Sequence, residues 1–71
     1  MEELDYILRL EKLLDERLAI AIDTDKRMGN EGDKFLPNNP DYIYYKGMIE
    51  AMVALGYEYC REEYKHTVFE R

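Results

Sequence analysis

One stretch decides how this chain divides. Gly29 to Asn39 reads GNEGDKFLPNN, a connection rich in Gly, Asn and Pro that no helix or strand runs through. No Gly or Pro precedes it, so everything upstream is free to form one uninterrupted element.

The upstream segment has helical periodicity. Leu4, Ile7, Leu8, Leu10, Leu13, Leu14, Leu18, Ile20, Ala21 and Ile22 recur at spacings of three and four. Gly29 supplies a stop, just after Lys26 and Arg27, whose charges suit a helix C-terminus. A helix over about residues 3–28 is predicted, about 37 Å long at 1.5 Å per residue. Phe35 and Leu36 are the apolar exceptions in the connection and are expected to fold back as a plug on the end of the hairpin.

Downstream, Asn39 is a good N-cap, Pro40 fits the first helical position and Asp41 suits the first turn. Tyr45, Met48, Ile49, Met52, Val53, Gly56, Tyr59 and Cys60 form an apolar stripe at helical spacing, with charges mostly opposite. A second helix over about 40–63 is the expectation. Glu63 falls in the middle of that stripe, which marks its end. The tail 64–71 contains strand-friendly Thr67, Val68 and Phe69 and reads as a short segment, frayed or extended.

Apolar residues of the first helix spread over roughly 240° of its circumference, more than one contact needs. One cysteine allows no internal disulfide, and Cys60 with His66 makes no zinc pattern. A chain of 71 residues without such staples relies on a partner subunit. The expected fold is therefore a single all-α domain, an antiparallel hairpin of two long helices pairing into a dimeric four-helix bundle. Core and oligomer packing falls to Leu14, Leu18, Ala21, Tyr45, Ile49, Met52, Gly56 and Tyr59, with Gly56 marking close approach of another helix. Glu11, Arg17 and Asp25 intrude on the apolar side and would set register at core edges.

Chemical constellations are weak. Glu11 with Asp15, and Glu58 with Glu62, are each four apart, and facing helices could bring the four carboxylates round Mg²⁺. A solvated acidic face is the simpler reading. Asp23 and Asp25 start like a calcium loop, but Arg27 and Met28 occupy the next ligand and glycine positions. Cys60 and His66 share no helix face, so Cys60 reads as a small core residue and His66 as a surface one. No phosphate-binding, nucleophile-elbow or cofactor motif is present.

Tyrosine is the unusual feature, seven in 71 residues. The ring buries a large area and keeps a polar tip, which suits interfaces. Tyr44, Tyr57, Glu58, Arg61 and Tyr64 are the candidate interaction surface. A net charge of −6 with scattered Lys and Arg argues against duplex nucleic acid and anionic membranes. Met1-Glu2-Glu3 does not begin a secretion signal, no apolar run reaches spanning length, and a lone thiol fits the reducing cytoplasm.

The run NNPDYIYYKGMIEAMVALGYEYCRE with KHTVF, and the opening LEKLLDERLAIAIDTDKRMG, resemble small uncharacterised proteins encoded by phages and prophages of Gram-positive bacteria. The resemblance covers nearly the whole chain and implies a short accessory protein that acts by binding. It supplies no catalytic residues. The expected function is a non-enzymatic, self-associating interaction protein directed at another protein, as a phage-type modulator of a host factor. A module sequestering a nucleotide between subunits is the alternative, and a metal-dependent all-α nucleotide hydrolase the third reading.

Overall fold

The structure, a computed structural model, describes residues 3–32 and 34–71, residues 3 and 4 by their backbone alone. The Met1-Glu2 start, Asp33 of the connection and the Leu4 side chain lie outside the described residues. The order of elements is α1 (Glu3–Arg27), α2 (Pro40–Ala54), β1 (Tyr57–Glu62) and β2 (Lys65–Glu70). The two strands form an antiparallel hairpin, with Tyr57 opposite Glu70 and Glu62 opposite Lys65. Among the described residues no helix is long and apolar enough to cross a membrane.

α1 follows from its unbroken periodicity and buries Leu14, Leu18 and Ala21 on one line. It ends one residue before the expected boundary. Gly29, at φ +85°, donates to the Lys26 carbonyl, and Asn30 N–H bonds to the Asp25 carbonyl. This pair of bonds satisfies carbonyls that the helix leaves open, and the left-handed turn suits glycine.

α2 opens as its sequence suggests. Asn39 is completely buried, and its Oδ1 accepts the N–H groups of Asp41 (3.0 Å) and Tyr42 (3.1 Å). Its Nδ2 donates to the Ala21 carbonyl and to Asp25 Oδ1, both at 2.9 Å. One amide thus caps α2, ties it to α1 and uses its full set of donors and acceptors. Asp25 completes the knot by accepting from Asn30 and, at 3.1 Å, from the Leu36 N–H.

Burial works to raise the Asp25 carboxyl, but the hydrogen bonds from Asn30, Asn39 and Leu36 outweigh it and hold it below its ordinary value. Such a group stabilises the fold above the unfolded carboxylate pKa. That contribution is lost as pH falls through the depressed folded value. Acid titration is therefore expected to erode stability below about pH 4, and the slope there to be shallower in Asp25→Asn. Equal acid slopes in urea melts of the two proteins would contradict this.

The expectation of an all-α fold is overturned by the hairpin. α2 stops at Ala54 rather than near residue 63, and Gly56, at φ +97°, turns the chain out of the helix. Its N–H closes on the Val53 carbonyl. Gly56 is therefore a stop signal, not a point of close helix packing, and an added Cβ would meet nothing within 4 Å. Beyond it, alternating tyrosines and β-branched residues form strands.

The four-helix bundle falls with the long second helix, because the hairpin covers the helix pair where a second copy was expected. Val68 enters the core with Leu14, Leu18, Tyr45 and Met52, while Ile49 and Phe35 pack around it. Tyr59 lies on β1 and is partly exposed rather than sitting on a helix stripe. Cys60 is exposed, not a core residue, and His66 is buried, not a surface one.

α1 also does the work of a missing strand. Asp15 Oδ1 accepts the His66 N–H at 2.8 Å, and Glu11 Oε2 accepts the Val68 N–H at 2.7 Å. Four residues of helix rise about 6 Å and two residues of strand about 6.8 Å, so carboxylates at i and i+4 match amides at i and i+2. Two of the charges expected at core edges are thus accounted for, Glu11 by β2 and Asp25 by the knot. The third, Arg17, stacks over the Tyr44 ring with its guanidinium carbon 4.4 Å from the centroid.

The hairpin turn holds one strained residue. Glu63 sits at φ +56°, at the first of two turn positions, where two-residue turns favour Gly, Asn or Asp. Glu63→Gly is expected to raise stability by about 0.5–1 kcal/mol, as relief of the left-handed penalty exceeds glycine's greater unfolded-state entropy. A urea midpoint that falls in the variant would contradict this.

Candidate functional site

His66 is the centre of a buried polar array. Strand alternation turns it inward beside Val68, and its side chain is wholly buried. Nδ1 lies 2.7 Å from Asp15 Oδ1 on α1, and Nε2 lies 2.6 Å from the Tyr45 hydroxyl on α2. A carboxylate at Nδ1 keeps the proton there, so in the neutral ring Nε2 accepts from Tyr45. The order aspartate–histidine–hydroxyl is that of a nucleophilic triad with a phenol in the hydroxyl place. The phenol, however, is spent on the imidazole and only 5% exposed. As placed, the array fastens α1, α2 and β2 together, and no buried side-chain polar atom among the described residues lacks a partner.

Burial, with Tyr59 alongside, pushes the Tyr45 phenol above its ordinary value, more than Arg61 pulls it down. A raised folded pKa gives stability that is complete below the unfolded value, about 10, and is lost as pH rises through the folded one. Tyr45→Phe is expected to cost about 1–3 kcal/mol at neutral pH, by orphaning His66 Nε2. It should also fall less steeply than the parent above about pH 10. Parallel alkaline limbs would contradict the assignment.

From this array an aromatic wall runs outward. Tyr59 tilts over His66 at 5.9 Å, Tyr45 meets His66 edge-on at 5.6 Å, and Tyr42 lies 6.3 Å from Tyr45. Phe35 stacks on Tyr42 at 4.2 Å, nearly parallel. The wall forms one side of a groove of about 960 Å³ between α2 and β1. Ile49 and Glu50 line it from α2, and Lys34, Lys46 and Arg61 stand around it. A second cavity, about 450 Å³, lies between the hairpin tip and the connection and shares Lys34, Phe35 and Arg61 with the first. The two make one trough around Phe35.

The residues expected to form one interaction surface are divided. Arg61 and Tyr64 line the trough. Tyr57 is half-buried against the core. Glu58 lies 3.6 Å from Arg71, and Tyr44 lies under Arg17 beside α1. Sequence reasoning read Phe35 only as a plug, and it missed Lys34 and Tyr42 beside it in the trough and the Asp15–His66–Tyr45 array. Only the alternation of His66 and Val68 hinted at the array. Among the described residues no three His, Cys, Asp or Glu side chains are placed to share a metal ion. Glu11 and Asp15 are engaged with β2 amides instead.

No known family model, curated protein or solved structure matches the chain.

Proposed function

We propose that this protein is a small, acidic, non-enzymatic binding protein that engages another protein along the groove between α2 and β1. The observation that carries the reading is an aromatic-walled groove running beside a strand with a free edge. If the resemblance to phage-encoded accessory proteins extends to role, that partner is a host factor. A nucleotide is the second reading, supported by the same aromatics and cations. Against it, Phe35 and Tyr42 are already closed on each other, so a base has only an outer ring face to stack on.

The exposed lone thiol of Cys60 supports a cytoplasmic setting, since an oxidising compartment would cross-link such chains. Self-association belongs to the same proposal. Tyr6, Leu13 and Ile20, seven apart on α1, are all exposed large apolar residues on one line of the helix. Sedimentation tests this part, and a single monomeric species at micromolar concentration overturns it.

Capture of partners from lysate tests the groove. Binding should be lost with Arg61→Glu or Tyr59→Ser and kept with Tyr44→Ala, which lies apart from the trough. The reverse pattern would move the surface to the helices.

A further inference from the structure

We infer that the segment this groove receives is extended and acidic, and that it adds to β1 as a third strand. The inference rests on the proposed groove reading and specifies its occupant.

The sheet has two edges, and only one is free. Along β2 the outward amides of His66 and Val68 are taken by Asp15 and Glu11. Among the described residues β1 has no neighbouring strand on its other side. Glu62 and Lys65 close a two-residue turn and so form a hydrogen-bonded pair, and pairs of that type alternate along the ladder. Glu58, Cys60 and Glu62 therefore aim their backbone groups at β2, while Tyr57, Tyr59 and Arg61 aim theirs outward. The outward amides of His66 and Val68, opposite Arg61 and Tyr59, agree with this phase. A strand laid along the groove would take hydrogen bonds from Tyr59 and Arg61 and rest its inner side chains on α2. β1 has no proline and no bulge to repel it.

Charge selects the occupant. The chain is −6 overall, yet Lys34, Lys46 and Arg61 gather round this groove with Glu50 as its one acidic lining residue. Among the described residues none of these three cations lies within ion-pair distance of a carboxylate; the pairs formed are Arg27–Asp23, His66–Asp15 and Arg71–Glu58. Cations without a carboxylate partner, Lys46 lying 5.7 Å from the Tyr42 ring centroid, on an otherwise acidic protein complement a segment with acids at alternate positions. On a strand such positions share a face about 6.8 Å apart.

The probes are short capped peptides: alternating glutamate and valine, the lysine–valine counterpart, and the glutamate–valine peptide N-methylated at alternate amides. Amide shifts and fluorescence anisotropy are read against the full chain. The glutamate–valine peptide should bind at least about ten-fold tighter than the lysine–valine one, shifting the Tyr59 and Arg61 amides. N-methylation should abolish binding, and Lys46→Glu should weaken it about ten-fold while leaving the melting temperature near the parent's. If the lysine–valine peptide binds the groove equally well, the acidic preference is overturned while the groove reading stands. If the N-methylated peptide binds as well as its parent, strand addition is overturned. If no peptide shifts Tyr59 or Arg61, or if ATP alone does so, the inference and the groove reading fall together.

Discussion

His66→Ala is expected to remove roughly half of the fold's stability at room temperature. The substitution empties a wholly buried ring site between three elements. It also strands the Tyr45 hydroxyl and removes the side-chain partner of Asp15, which keeps only the backbone N–H of position 66. Cavity and orphaned polar groups together cost roughly 3–5 kcal/mol. At roughly 0.05–0.15 kcal/mol per residue, a domain of this size has only about 4–10 kcal/mol in total. Far-UV circular dichroism with urea titration measures the effect. His66→Gln, which can keep one of the two hydrogen bonds, should lose about 1–3 kcal/mol and remain folded. An alanine variant within about 0.5 kcal/mol of the parent would mean that the array contributes no more than a surface contact.

The second large effect belongs to Asn39. Alanine there removes the α2 cap, worth about 1 kcal/mol, and leaves Asp25 and the Ala21 carbonyl each short of a buried donor. The total is expected at roughly 2–4 kcal/mol. Serine separates the two parts, since its hydroxyl can still accept from the first turn of α2 but cannot span to both Ala21 and Asp25. Asn39→Ser should therefore recover about 1 kcal/mol of the loss. If serine restores full stability, the tie to α1 is energetically silent and Asn39 is only a cap.

Much of this fold could be read in the residues, and the unread part has a physical explanation. α1, the Gly29 stop and the Asn39-Pro40-Asp41 start were legible because each signal is local, a matter of spacing, capping and left-handed turns. Gly56 carries the same stop signal as Gly29, but it falls at helical spacing from Met52 and Tyr59, so the stripe ran through it. Glu63, misplaced in that stripe, was the sign that helical period had ended. The strands were obscured because the hairpin is a thin ribbon with charges at Glu58, Arg61 and Glu62, which blurs the period-two pattern. The array was illegible for a different reason. Asp15 and His66 are 51 positions apart, and a pairing set by tertiary packing leaves no spacing to read.

The same separation governs how the chain reaches its fold. α1 is made well before its partners, since the amides that Asp15 and Glu11 serve lie 51 and 57 residues further on. At about 5–20 residues per second, roughly 3–10 s separate the synthesis of Asp15 from that of His66. Until then its apolar line at Leu14 and Leu18 has no hairpin to cover it. A helix of 25 residues is long enough to hold some structure alone, yet its core face would stay wet through that interval. β2 thus acts as the closing latch on α1, whose core face depends on the hairpin reaching it before something else does.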